Sequence, residues 1–151
     1  MNYRFSIPTT VECGTGISGR AGEFLRARGA SRVFVVTDAG IRNAGLLEPV
    51  LHSLEEHGLK YDIFDETEPN PSAESVMKGL ERLKQKPHDH ILALGGGSSI
   101  DTAKGIGIMA TNKGHILDYE GVNRIPHPGL PVVAIPTTAG TGSEVTASES
   151  I

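Results

Sequence analysis

The chain has 151 residues, of which 38% are hydrophobic and 21% charged, and this composition predicts one globular domain with a real core. The net charge of -4, without a basic stripe, argues against nucleic acid and anionic membrane as partners. Cys13 is the single cysteine, so it cannot form an internal disulfide. No apolar run predicts a membrane span and the N-terminus predicts no signal peptide, so we expect a cytoplasmic protein.

The apolar pattern predicts strands that alternate with helices. Residues 3–13 alternate weakly around a proline, which predicts a short hairpin or two edge strands. Four further strands follow, most of them short continuous apolar runs, at residues 33–36, 61–64, 91–94 and 132–135. Helices are predicted between them, with a serine at the start or a glycine at the end, at residues 18–28, 46–57, 72–86 and 98–111.

This alternation is typical of βαβ units. The predicted fold class is α/β: a Rossmann-like parallel sheet with helices on both faces, preceded by an N-terminal edge hairpin. Residues 1–151 are expected to form one domain of a longer parent protein, because the pattern of residues 144–151 predicts the start of a further element. The edge character of the N-terminal segment is compatible with pairing across a homo-oligomer.

A first glycine motif, G-x-G-x-x-G, spans residues 14–19 and opens a predicted helix. Asp38 follows at about the distance found in dinucleotide-binding proteins. The strand before such a motif should be buried and apolar, whereas here it contains Glu12. Two interpretations remain open: a nucleotide fingerprint, or a glycine-rich turn that leads from the edge hairpin into the first helix, which we favour.

A second glycine motif, GGGSSID at residues 95–101, lies directly between a buried strand and a helix. Glycines allow close approach of a ligand to the backbone, and the free N–H groups of a helix start attract an anion. We therefore expect a phosphate or pyrophosphate here. The alternative is a tight turn capped by Ser98 or Ser99. Asp101, in the first turn of the helix, either complements the helix dipole or meets a ligand group.

Two more ligand-type features follow buried strands. Asp38 could accept hydrogen bonds from both hydroxyls of an adenosine ribose, or it could cap a short helix near Ile41. The loop at residues 136–143 is either a polar surface loop or a donor of hydrogen bonds to phosphate or nicotinamide, through Thr137, Thr138, Thr141 and Ser143. Carboxyl ends of parallel strands share one edge of a sheet, so these features together favour a ligand site.

The six histidines form no spaced ligand set with a carboxylate on one helix face. His88 and His90 flank a turn before a strand, and we expect them in a solvated loop. Cys13 has no identifiable histidine partner, so a packed edge-strand thiol is expected. No catalytic or metal-ligating residue is predicted in this chain.

The stretches GGGSSIDTAK at residues 95–104 and PTTAGTGSEVT at residues 136–146 closely resemble the iron-containing (group III) alcohol dehydrogenases. Residues 36–38 and 68–71 also match, and glycerol dehydrogenase and dehydroquinate synthase are more distant relatives. The resemblance covers nearly the whole chain. It implies an N-terminal domain that binds NAD(P), residues 1–151 here, and a C-terminal helical domain, absent from this chain, that binds Fe2+ or Zn2+.

By this resemblance, Asp38 holds the adenosine ribose and Asn70 lies along the cofactor. The pyrophosphate lies at Gly96, Gly97 and Ser98, and the reactive end is lined by Thr137, Thr138, Thr141 and Ser143. The implied reaction is hydride transfer between a small alcohol or aldehyde and the nicotinamide, with the metal polarising the alcohol oxygen. Because Asp38 should accept the 2′-hydroxyl, NAD is expected in preference to NADP.

The family's metal ligands, an aspartate and three histidines, are implied to lie beyond this chain, so we expect it to bind dinucleotide and to be inactive alone. A rival hypothesis is a stand-alone nucleotide-binding module without catalysis. A second rival is a phosphate-binding signalling domain of flavodoxin-like fold with Asp38 as acceptor, which would need an acidic cluster near the first strand that the sequence lacks.

Overall fold

The computed structural model describes residues 9–11, 17–68, 72–116, 127 and 129–137. Its strands form one five-stranded sheet in the order β1-β5-β4-β2-β3, and all four pairings are parallel. The strands are β1 (Thr9–Val11), β2 (Arg32–Val36), β3 (Lys60–Phe64), β4 (His90–Gly95) and β5 (Val132–Pro136). This sheet confirms the predicted α/β fold.

Helices cover both faces of the sheet. They are α1 (Ala21–Ala27), which continues a 3-10 turn at Ile17–Arg20, α2 (Ala39–Asn43), α3 (Glu48–Glu56), α4 (Ala73–Leu83) and α5 (Gly97–Thr111). The helix boundaries follow the predicted signals: Gly29, after α1, has a φ of +85°, and the Ser72 hydroxyl accepts the N–H of Ser75 at 3.1 Å. Within the described ranges, no helix is long and apolar enough to cross a membrane.

The core is divided in two by the sheet. Alternate residues of the central strands point to opposite faces, so Phe34 and Val36 pack with α4 and α5, whereas Val33 and Val35 pack with α1 and α3. Both sets are almost completely buried, with 0–1% exposure. This double burial is why the strands read as continuous apolar runs instead of alternating patterns.

The N-terminal segment contributes an edge strand. β1 pairs with β5 in parallel register, from Thr9 opposite Val132 to Val11 opposite Ala134. The remainder of the predicted hairpin, together with Cys13 and residues 14–16 of the first glycine motif, lies outside the described residues.

His88 and His90 are buried, which corrects the expectation of a solvated loop. The Nδ1 atom of His88 is 2.7 Å from the Leu83 carbonyl oxygen, and its Nε2 atom is 2.7 Å from Oδ2 of Asp62. Its ring meets Phe34 edge-on, with the centroids 5.0 Å apart. The sequence pattern did not predict this burial, because the side chain that binds the ring, Asp62 on β3, is 26 residues away.

Asp62 binds several hydrogen-bond donors near the amino-terminal end of the sheet. Besides His88, Arg32 donates to Oδ2 at 2.9 Å and Lys86 lies 3.5 Å from Oδ1. Burial raises the pKa of Asp62, but the hydrogen bonds from His88 and Arg32 and the nearby charge of Lys86 lower it more, so the net pKa is below the ordinary value.

We predict that Asp62→Asn destabilises the protein by about 1–3 kcal/mol at neutral pH, because buried donors lose a charged acceptor. The folded pKa of Asp62 is lowered, so its stabilising effect is present above the unfolded pKa, about 3.9, and is lost as the pH falls through the folded value. The difference between wild type and variant in urea unfolding should therefore be largest at neutral pH and shrink below about pH 4.

The control is Glu81→Gln, which removes an exposed carboxylate of α4 and should change stability by less than about 0.5 kcal/mol. A neutral-pH loss for Asp62→Asn no larger than that of the control would contradict the prediction, as would a loss independent of pH.

Candidate functional site

The direction of chain progression reverses between β2 and β4. From β2 the chain moves outward to β3 at one edge, then returns to β4 on the other side of β2 and continues to β5. In open α/β sheets, such a reversal leaves a crevice at the carboxyl ends of the two strands, and ligands bind there. The residues that follow β2 and β4 are therefore the candidate site.

The turn after β4 requires glycine at its first position. Gly95 has a φ of +145°, and a Cβ atom there would lie 2.9 Å from the Ser99 hydroxyl oxygen. Gly96 then serves as the N-cap of α5 in an extended conformation, and no side chain caps this helix. The alternative interpretation, a turn capped by Ser98 or Ser99, is therefore wrong, because both serines lie inside the first turn of α5.

The amino-terminal end of α5 is open. Gly96, Gly97 and Ser98 are each partly exposed, and the first backbone N–H groups of a helix have no acceptor within it. Together with the dipole of this 15-residue helix, these groups favour an anion at the switch point. This is the position at which the sequence predicted a phosphate.

Three buried hydroxyl groups hold the glycine turn in place through hydrogen bonds. Thr37 donates to the Leu94 carbonyl oxygen at 2.8 Å, and Thr67 donates to the Thr37 carbonyl oxygen at 2.9 Å. The Thr67 hydroxyl is also 3.1 Å from the Ser99 hydroxyl. This network joins the ends of β2 and β4 to the first turn of α5. Sequence reasoning missed these positioning residues; the only signal was a hydroxyl residue just past a strand end, as at Thr37.

The two carboxylate oxygens of Asp38 have different neighbours. Its Oδ1 atom accepts the N–H of Ile41 at 2.8 Å, so it is the N-cap of α2. Its Oδ2 atom lies 3.6 Å from the position of a Cβ atom at Gly95, and thus faces the glycine turn. Among the described residues, Asp38 forms no ion pair. The cap and the ligand interpretations are therefore compatible, because one oxygen serves the fold and the other remains available.

Thr137 and Asp101 complete the described part of the site. The N–H of Thr137 donates to the Gly95 carbonyl oxygen at 3.0 Å, which places this exposed residue beside the turn. Asp101 is an exposed residue at the start of the second turn of α5. Desolvation by the surrounding protein raises the pKa of its carboxyl group, and the positive charge of Lys104 opposes that rise. Burial lowers the pKa of Lys104, against the effect of Asp101.

The structure thus brings Asp38, Thr137 and residues 95–98 together at one edge, with Asp101 on the helix that begins there. Four other candidate site residues lie outside the described residues: Asn70, Thr138, Thr141 and Ser143.

The described residues do not fit a metal ion. Within residues 9–11, 17–68, 72–116, 127 and 129–137, no three side chains of His, Cys, Asp or Glu are grouped so that they could hold one. Both ring nitrogens of His88 already face protein oxygen atoms. Iron or zinc is therefore not assigned to any of these side chains.

Comparison with known proteins places the site in a family context. The chain is 46% identical over 151 residues to choline dehydrogenase from Bacillus subtilis (strain 168), a match covering 95% of this chain and 37% of that protein. It is 45% identical over 142 residues to NAD-dependent methanol dehydrogenase from Bacillus methanolicus, covering 94% and 37%. The crystal structure of 1,3-propanediol oxidoreductase superposes with a TM-score of 0.84 at 37% identity, covering 95% of this chain and 37% of that one.

The chain therefore spans 37% of the length of these relatives. The family model described as iron-containing alcohol dehydrogenase matches residues 8–151, which include the glycine turn, Asp38 and Thr137. The sequence motifs, the fold and this match agree: the chain belongs to the iron-containing alcohol dehydrogenase family.

Proposed function

We propose that this chain is the NAD-binding domain of a metal-dependent alcohol dehydrogenase that transfers hydride between a small alcohol or aldehyde and nicotinamide. The observation that carries the proposal is the open amino-terminal end of α5 at the switch point, with Oδ2 of Asp38 facing it. Family membership and the likeness to an NAD-dependent methanol dehydrogenase support it.

In this proposal the pyrophosphate lies against Gly96, Gly97 and Ser98. Their backbone N–H groups donate to phosphate oxygens, and the helix dipole adds a favourable charge interaction. The strained turn at Gly95 directs the backbone toward the ligand, and the absence of side chains at residues 96 and 97 leaves room for it.

The adenosine ribose lies at Asp38, whose free oxygen accepts from a ribose hydroxyl. Asn70 contacts the cofactor along its length, Asp101 lies below the pyrophosphate, and the nicotinamide end is lined by Thr137, Thr138, Thr141 and Ser143. NAD supplies the hydride chemistry when bound, and this chain supplies binding and placement.

For the catalytic metal, Fe2+ or Zn2+, we propose ligands elsewhere in the parent protein, because the described donor set does not fit one. We also propose that the protein is cytoplasmic and has no nucleic acid or membrane partner; the net charge of -4, without a basic stripe, supports the absence of such anionic partners. The edge strand β1 supports a homo-oligomer formed through that edge of the sheet.

We predict that Gly97→Val weakens NAD binding by at least about tenfold, because a branched side chain blocks approach to the N–H groups at the helix start. Isothermal titration calorimetry with NAD measures the effect. The matched control is Gly19→Val in the rival glycine motif, where a Cβ atom would meet nothing within 4 Å. Loss of affinity in the control, with Gly97→Val unaffected, would move the site to residues 14–19.

We predict that the wild-type chain binds NAD about ten- to a hundredfold more tightly than NADP, because a 2′-phosphate removes a hydrogen bond worth about 1.5–3 kcal/mol to Asp38. Asp38→Ser should erase most of this preference, since serine retains an N-cap oxygen but carries no charge. Titration of both dinucleotides decides the matter. Equal affinities in the wild type, or a preference unchanged in the variant, would contradict the role of Asp38.

We predict that this chain alone, given NADH, a short aldehyde and Fe2+ or Zn2+, does not oxidise NADH above the buffer rate. The family resemblance assigns the metal ligands to a second domain, and NAD binding with no turnover is the expected result. Oxidation that a chelator abolishes would show that the metal ligands are within this chain. A longer parent protein that binds NAD and shows no turnover would favour a nucleotide-binding module without catalysis.

A further inference from the structure

Asp65 and Arg42 form an ion pair beside Asp38. Arg42 lies one turn along α2, and its backbone N–H donates to the Asp38 carbonyl oxygen at 3.2 Å. Asp65 directly follows β3, and its neighbour Glu66 forms an antiparallel bridge with Asp38. The Nη1 atom of Arg42 is 2.7 Å from Oδ2 of Asp65. The pair therefore lies at the same edge of the sheet as the free oxygen of Asp38.

Two other cations of the described residues near this edge bind a different carboxylate. Lys78 and Arg82, both on α4, lie 2.6 and 2.8 Å from the two carboxylate oxygens of Glu66. Arg42, in contrast, lies on α2, the helix that Asp38 caps. A guanidinium group binds phosphate through paired hydrogen bonds, so Arg42 is the side chain on the described residues best suited to a phosphate on a ribose held by Asp38.

We propose that Asp65 determines cofactor specificity by holding Arg42 away from the 2′-phosphate of NADP. The inference rests on the proposed function, in which the adenosine ribose lies at Asp38. Discrimination then has two parts: Asp38 accepts the 2′-hydroxyl of NAD, and Asp65 occupies the guanidinium group of Arg42, which could otherwise bind a phosphate in its place.

The exposure of the pair agrees with such a role. The Arg42 side chain is 50% exposed and that of Asp65 is 31% exposed, so the ion pair contributes little to stability. Removing the Asp65 carboxylate should leave the fold intact and release a mobile guanidinium. Asp65 is thus a positioning residue that acts through Arg42.

The test is a double-mutant cycle with Asp65→Asn, Arg42→Ala and the combined variant, each titrated with NAD and NADP. Asp65→Asn should tighten NADP binding by about tenfold, the gain of one charge-assisted hydrogen bond less a surface ion pair. In the Arg42→Ala background the same substitution should give no comparable gain. Asp65→Glu retains the carboxylate and should exclude NADP as the wild type does.

The cycle separates the ways in which the inference can fail. If Asp65→Asn leaves NADP affinity unchanged while NAD still binds, Asp65 does not control specificity. If the gain persists without Arg42, the carboxylate acts by repulsion alone and the proposed route is wrong. If the wild-type chain binds neither dinucleotide, the proposed function fails and the inference fails with it.

Discussion

The backbone turn at Gly95 is the constraint on which the candidate site depends. Its positive φ turns the chain from a buried strand directly into α5, so the helix begins at the sheet edge without a connecting loop. The hydroxyl of Ser99 fills the space that a Cβ atom would need, and Thr67 in turn contacts that hydroxyl. The start of α5 is therefore held by buried groups, and no side chain of the described residues caps its first N–H groups.

The polar groups at the two ends of the sheet are arranged differently. At the amino-terminal end, buried or half-buried polar groups bind one another, as Asp62 does with His88 and Arg32. At the carboxyl end, among the described residues, one oxygen of Asp38 caps α2 while the other faces the glycine turn, and α5 begins without a side-chain cap. Two separate sets of polar groups therefore lie at the two ends of the sheet.

The sequence was sufficient for whatever depends on local pattern. Apolar runs located β2, β4 and β5 because both faces of the sheet are covered, and Ser72 and Gly29 marked helix ends through local capping. The glycine turn was identified because it lies between such a strand and a helix. Family resemblance added the roles of residues that no pattern could assign.

What the sequence could not show are contacts between distant segments. The pattern left a serine cap of α5 open as an alternative, whereas the Ser99 hydroxyl is directed toward Thr67, 32 residues away. His88 contacts Asp62, and Arg42 forms an ion pair with Asp65. In both pairs the two residues are far apart in the sequence, so no local pattern indicates the contact. Asp38 allowed a cap or a ligand role in the sequence, and only the separate directions of its two oxygens show that both are open to it.

The parallel pairing of β1 with β5 has a consequence for the order of folding. Among the described strands β1 comes first and β5 last, so their register joins segments of very large sequence separation. Such contacts close large loops and form slowly. β5 also supplies, through the N–H of Thr137, a hydrogen bond to Gly95. During synthesis the glycine turn therefore lacks one of its supports until β5 has emerged and inserted between β4 and β1.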